Sequence, residues 1–218
     1  MSNQESKQRI LQKIHDAKAR STHRLKVRPE KPSLVPEAYL GHSEAIPELE
    51  FARNLVEVSN GKFSYCSDRD ELAHSLSELY QQKGWSKVFC AEKEMQSILD
   101  EASISYFSDF GKIRQLEVAV TGCEYLIART GSIMVSSAQG SGRRLFGFAP
   151  VHLVIGKSSQ LVHELGDALQ KMKSKYSTLP SQVSLITGPS RTADIEKTLI
   201  LGAHGPRELF IFLLNDQT

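Results

Sequence analysis

No apolar run in this chain approaches the ~20 residues that a membrane-spanning helix needs, so no membrane span is expected. Cysteine is scarce. Cys66, Cys90 and Cys123 are an odd number, widely spaced, with no Cys-x-x-Cys. That leaves no zinc or iron–sulfur site to be built from the chain's own cysteines, and it fits a reducing, cytoplasmic location. The N-terminus has no apolar segment of the secretory kind, which points the same way. The seven histidines do not pair with carboxylates at ligand spacing on any expected helix, so no metal site is expected. Gly140-Ser141-Gly142 lacks the flanking residues of both a phosphate-binding loop and a nucleophile elbow. No internal repeat is visible.

What is present is ordinary in bulk and uneven in charge. At 218 residues, 40% hydrophobic and 24% charged, the composition suits one soluble α/β domain with an extra arm. Residues 1–31 hold nine Lys/Arg against Glu5, Asp16 and Glu30, a charge of +6; the whole chain carries +2, so the remainder carries −4. A basic arm on a mildly acidic body can meet nucleic acid, a membrane surface, a partner or the body itself. Nucleic acid is disfavoured, because the arm has no interleaved aromatics and no reading motif. Residues 3–20 read as a helix with Ile10, Leu11, Ile14 and Ala17 in a narrow apolar stripe. Pro29, Pro32, Pro36, Pro47 and Gly41 make residues 28–47 an extended connector. The expected division is therefore a helical arm and connector over 1–47 and an α/β domain over 48–218. The striped arm leaves homo-oligomers and heteromers open.

Within the body, Leu49, Ala52, Leu55 and Val56 suit a short helix that Gly61 ends. Lys62–Cys66 alternates like a strand. Asp68 with Glu71 has the spacing of a capping box, and Leu72, Leu76 and Leu79 give the helix behind it a buried face up to Gly84. Lys87–Cys90 reads as a strand, 92–101 as a helix around Met95, Ile98 and Leu99, and Ile104–Phe107 as a strand. That alternation predicts a mainly parallel sheet flanked by helices, with right-handed crossovers. Leu116–Thr121 follows, and then two apolar runs around Arg129-Thr130-Gly131-Ser132 that resemble a tight hairpin. Gln139–Arg144 is a basic loop. Val151–Ile155 is too apolar for an open edge, and 158–173 reads as a helix with Leu161, Leu165, Leu169 and Met172 inward.

The last segment carries the densest chemistry. An apolar run, Ser184–Ile186, stops at Thr187-Gly188-Pro189; Ser190, Arg191, Thr192, Asp194 and Glu196 then read as a helix start. His204-Gly205-Pro206 and the apolar run Leu209–Leu214 follow. A strand–loop–helix unit of this kind can hold an anion on free backbone N–H groups, two hydroxyls and a guanidinium. Equally, it can be a plain capped helix with its carboxylates favoured by the dipole. Asp194 and Glu196 point about 200° apart on a regular helix, so they cannot both serve one substrate.

These stretches resemble the LUD-domain family. The resemblance rests on Thr121–Ser132, on Ala149-Pro150-Val151-His152, on Ile186–Glu196 and on Gly202–Glu208, and it covers roughly residues 48–214. It implies an α/β fold of the phosphosugar-isomerase and CoA-transferase type. It also implies a part, with two iron–sulfur partner proteins, in oxidising L-lactate to pyruvate; the clusters would sit in the partners and no cofactor on this chain. Relatives are expected to carry an acidic residue just before the Thr-Gly pair; Arg129 stands there instead, which leaves Glu124 as the nearest carboxylate.

Glu124 is thus the candidate catalytic group, by analogy with the covalent glutamate of the CoA-transferase fold. Thr130, Gly131 and Ser132 form one expected wall of a pocket, Thr187, Gly188, Pro189, Ser190, Arg191 and Asp194 the other, and His204 and Gly205 the rim. The ligand would be a small organic acid or a phosphate-bearing molecule. His204 is otherwise a loop histidine bonded to backbone, and His152 reads as a satisfied core residue. Arg143 and Arg144 either clamp an anion or form a solvated loop. The rival readings are a free-standing enzyme using Glu124 and an organic-acid sensor.

Overall fold

A computed structural model describes residues 46–143, 145–193, 199–201 and 205–217, with the backbone course alone for 191–193 and 199–201. All of them fall in one compact unit, Ala45–Thr218. The expected arm helix, nearly all of the connector, Arg144, Asp194, Glu196 and His204 lie outside the described residues.

The chain enters through a short helix, α1 (Pro47–Arg53), that runs into a π-helical turn, Asn54–Val58. Strand β1 (Lys62–Cys66) leads to α2 (Arg69–Lys83). Half of the expected capping box forms: the Glu71 N–H donates to Asp68 Oδ1 at 2.8 Å, while Glu71 Oε2 accepts from the N–H of Ser67, one residue before the cap, at 2.8 Å. Gly84 closes the helix in the left-handed region, at φ +66°. Next come β2 (Val88–Phe89), α3 (Lys93–Glu101) and β3 (Val118–Thr121). The hairpin β4 (Tyr125–Ile127) and β5 (Ser132–Ser136) follows. After it come α4 (Leu145–Phe148), β6 (Val151–Lys157), β7 (Leu161–Val162) and α5 (Leu165–Lys175). The last elements are β8 (Val183–Ile186), β9 (Arg191–Ala193), β10 (Leu199–Leu201) and β11 (Glu208–Leu214).

Five strands form a parallel sheet in the order β1-β11-β6-β3-β2. The alternation of β11 sorts its side chains. Phe210, Phe212 and Leu214 meet α2 and α3 on one face, while Leu209, Ile211 and Leu213 meet α1 and the hairpin on the other. The second face is covered by a four-stranded sheet, β7-β4-β5-β8. Ala168 and Met172 of α5 seal that sheet's outer side over Ile127 and Met134. The architecture is therefore α/β, a mainly parallel sheet flanked by helices, as the alternation predicts. The strand Val151–Ile155 is central, between β11 and β3.

Four local expectations change. The expected strand Ile104–Phe107 is reduced to one parallel bridge, Phe107 to Phe89. The helix expected from 158 starts at Leu165. Gln160 instead ties a turn together, accepting from the Lys157 N–H at 2.9 Å and donating to the Cys123 carbonyl at 2.6 Å, and Leu161–Val162 then pairs with Leu126–Ile127. The later start turns Leu165 and Leu169 outward and Ala168 inward. The stretch Ser184–Ile186 does not join Leu209–Leu214 in one unit: β8 lies antiparallel to β5 in the second sheet, and β11 lies in the first. Finally, Arg191–Ala193 is extended and pairs antiparallel with Leu199–Leu201, so no helix begins at Ser190. The apolar, partly β-branched run Leu199-Ile200-Leu201 supplies a ladder partner, and tertiary pairing overrides the cap signals.

Candidate functional site

The motif residues gather in two places. At the turn of the hairpin, Ser132 Oγ lies 2.7 Å from Thr187 Oγ1, so the Thr130–Ser132 and Thr187–Ser190 loops do meet. The Ser190 N–H donates to the Pro206 carbonyl at 2.8 Å, which brings the Gly205 turn to the same place. Two glycines explain the packing. A Cβ on Gly131 (φ +58°) would sit 2.3 Å from the Leu55 nitrogen, and one on Gly188 (φ +88°) 2.2 Å from the Ser59 carbonyl oxygen. Both loops thus close onto the π-helical turn, and Asn54 Nδ2 reaches the carbonyls of Ala128 and Arg129, each at 3.0 Å. Gly188 and Pro189 are buried rather than displayed, so their bare backbone serves the fold. Thr130 and Thr187 stay exposed at this end, and Ser132 is buried. Around it, Arg129 pairs with Glu164 at 2.6 Å, and His163 lies 3.2 Å from the buried carboxylate of Glu50.

Glu124 is elsewhere. Tyr125 pairs with Met134 and Ile127 with Ser132, which puts Glu124 at the open end of the hairpin and the Thr130–Ser132 turn at the other. Three strand residues separate them, roughly 10 Å at the usual rise. The expected two-walled pocket of Glu124 facing Ser190 therefore does not form; the period-2 geometry of a strand keeps its ends apart.

Glu124 belongs instead to a cleft of about 210 Å³, lined among others by Glu92, Glu94, Gln139, Lys157, Gln160 and Lys175. This cleft opens past the carboxyl ends of the parallel strands, where α/β sheets bind ligands. Glu92 is the third residue after β2 and Glu124 the third after β3, two neighbouring strands of the sheet. The Glu124 carboxylate is buried and holds three donors: Ser136 Oγ at 2.5 Å, Tyr176 Oη at 2.8 Å and Lys175 Nζ at 2.7 Å. Burial pushes its pKa up, but the lysine and the two hydroxyls outweigh this and hold it below the usual value. Glu92 goes the other way. Burial raises it, although its oxygens accept from Ser141 Oγ and the Gly122 N–H, and the charge of Glu124 adds to the rise. A Cβ on Gly122 would lie 3.0 Å from Glu92 Oε2, so any side chain there would push the Glu92 carboxyl aside. Two carboxyls of one cleft are thus pushed apart, the pattern from which acid and base roles are read.

Glu92, Lys175 and Tyr176 are absent from the sequence-based site. Glu92 was findable, because it occupies the same offset past a strand as Glu124. Lys175 and Tyr176 were not, because nothing local shows that the end of α5 reaches Glu124. His152 is a core residue as expected but only half satisfied: it is fully buried, Nε2 lies 2.8 Å from Thr121 Oγ1, Nδ1 has no hydrogen-bond partner among the described residues, and burial lowers its pKa to about 4. Arg143 bonds to Ser181 Oγ. Cys66 and Cys90 share the core under α2 and α3, and Cys123 lies in another, between the sheets. Among the described residues, no three His, Cys, Asp or Glu side chains gather as a metal site, and no helix is long and apolar enough to cross a membrane.

The architecture places the chain in the class of α/β proteins with a mainly parallel sheet flanked by helices. Residues 49–214 match the LUD domain, and the chain belongs to that family. It is similar to lactate utilization protein C of Bacillus subtilis, 30% identical over 109 residues, 49% of this chain and 45% of that one. The same-named protein of Halalkalibacterium halodurans is 29% identical over 109 residues, covering 49% and 47%. An uncharacterised protein of Neisseria meningitidis serogroup B is 38% identical over 99 residues, 45% of this chain and 42% of that one. The aligned parts thus span a little under half the length of these relatives. A crystal structure of a DUF162-family protein from Deinococcus radiodurans superposes with a TM-score of 0.60, at 14% identity, over 77% of this chain and 96% of that one, a likeness of fold alone.

Proposed function

We propose that this chain is a ligand-binding subunit of the lactate utilization protein C kind. It would bind a small organic acid and serve, in the cytoplasm, an iron–sulfur system that oxidises L-lactate to pyruvate. The similarity to lactate utilization protein C supports the pathway. The single observation that supports the binding role is the convergence of Glu92, Glu124, Lys175 and Tyr176 on a small cleft past the parallel strands. Lys175 has three N–H donors and gives one to Glu124, so it can still meet a ligand carboxylate. Glu124, held by three donors, fixes Lys175 and Tyr176 in this reading. Iron–sulfur clusters belong to two partner proteins in this reading. The test is purification of the tagged full-length chain from lactate-grown cells. Co-purification of iron and of lactate-oxidising activity is expected; recovery of the chain with neither sinks the reading.

A second reading has one observation of its own, the opposed pKa shifts of Glu92 and Glu124. They suit a free-standing enzyme that moves a proton on a small anionic substrate. It predicts turnover that Glu124→Gln abolishes while the fold persists, and a broad substrate screen without such turnover would rule it out.

A further inference from the structure

The charges lining the cleft do not cancel. Glu94 pairs with Lys157, and Glu124 pairs with Lys175. Among the described residues no cation pairs with Glu92; its oxygens meet neutral donors, the Ser141 hydroxyl and the Gly122 N–H. Its titratable surroundings are Cys90 from its own loop, Glu94 from α3, Cys123 and Glu124 past β3, Lys157 at the end of β6, and Lys175 and Tyr176 at the end of α5. With Glu92 ionised these groups sum to one negative charge, and with Glu92 neutral they sum to zero.

We infer that Glu92 is the specificity-determining residue of this cleft: it meets the bound acid as a neutral carboxyl, so that a singly charged carboxylate enters with one proton and a doubly charged phosphate is turned away. The inference rests on the reading of the cleft as an organic-acid site. The ligand carboxylate takes the free N–H groups of Lys175, and the Glu92 O–H donates to the same ligand. Were Glu92 ionised, the ligand would bring a second uncompensated negative charge into a half-buried site. A dianion brings two even when Glu92 is neutral. The upward push of burial on Glu92 acts in the same direction, since it favours the protonated form. The sign follows from linkage. Where free Glu92 is ionised, binding takes up a proton, and affinity falls as pH rises, by up to about tenfold per pH unit.

The test is titration calorimetry of the full chain with L-lactate, pyruvate and inorganic phosphate over about pH 5 to 8. Each titration is run in two buffers of different ionisation enthalpy. The monocarboxylates are expected to bind with uptake of up to one proton and with affinity falling towards high pH, and phosphate to bind more weakly. Glu92→Gln, whose amide supplies the hydrogen bond without a proton, is expected to bind lactate with an affinity that no longer varies with pH. Heat from lactate or pyruvate with no proton uptake by the unaltered chain overturns this inference alone. Phosphate binding as tightly as lactate at the alkaline end of the range, where it is mostly a dianion, does the same. Absence of heat from every organic acid overturns the ligand reading and this inference together.

Discussion

Replacing Lys175 by Met removes a charge from Glu124 while keeping an apolar stem of similar length. The carboxylate is 2% exposed and would keep only the Ser136 and Tyr176 hydroxyls. Stripping one partner from a fully buried ion pair costs about 3–5 kcal/mol, and from an exposed pair at most about 1 kcal/mol. Lys175 is half exposed, so solvent screens its charge; about 2 kcal/mol is expected, or roughly 4–8 °C in Tm for a chain of this size. Denaturant unfolding can be followed by Trp85, the one tryptophan, which packs edge-on against Tyr80 and Phe210. Glu124→Gln removes the charge that needs Lys175, so the double variant is expected to be more stable than the sum of the two single losses, by about 1 kcal/mol or more. The pH dependence has a definite sign. The pKa of Glu124 is lowered in the fold, so its stabilisation is complete above the ordinary carboxylate range and is lost as pH falls through the lowered value. That acid-side loss should shrink in Lys175→Met. Additive single effects, or an unchanged acid limb, would refute the coupling.

Gly131→Ala is expected to cost about 2–4 kcal/mol, from a left-handed alanine and a Cβ pressed onto the Leu55 backbone; denaturation midpoints measure it. Asn54→Ala removes both bonds to the Ala128 and Arg129 carbonyls and should cost about 1–3 kcal/mol by the same assay. The three thiols should resist a charged disulfide reagent at mildly alkaline pH and all react on unfolding. Each is buried, and burial pushes the Cys66 and Cys123 thiols up and that of Cys90 to about 12. Rapid native labelling of any one contradicts that placement.

Local signals were legible where a few adjacent residues decide the outcome. Asp68 with Glu71, the stop at Gly84, the hairpin around Thr130–Ser132 and the central position of Val151–Ile155 all needed only neighbours or periodicity. What could not be read depends on partners distant in sequence. Nothing near Lys62 announces that β1 pairs with β11, at Phe210, and nothing near Ser184 announces a second sheet. Gln160 stops a helix from starting early only because Cys123 and Lys157 are there to bond it. The motif glycines were legible as special, but their purpose was not: Gly131 and Gly188 admit the backbone of residues 54–59. Glu124 stood out in the sequence, and the structure buries it among three donors, while its companions come from past the end of β2 and the end of α5. A strand places its two ends on different sites, and only the pairing shows which end meets which loop.

The central claim is that the cleft past β2 and β3 is where this LUD-domain chain takes its ligand. Two-dimensional amide spectra of the labelled chain, recorded while L-lactate or pyruvate is added, test it most directly. Saturable shifts concentrated at Glu92, Gly122, Glu124, Gln139 and Lys175 are the predicted result. Shifts confined to the hairpin turn, around Thr130, Ser132 and Thr187, or no saturable shift at all, would contradict it.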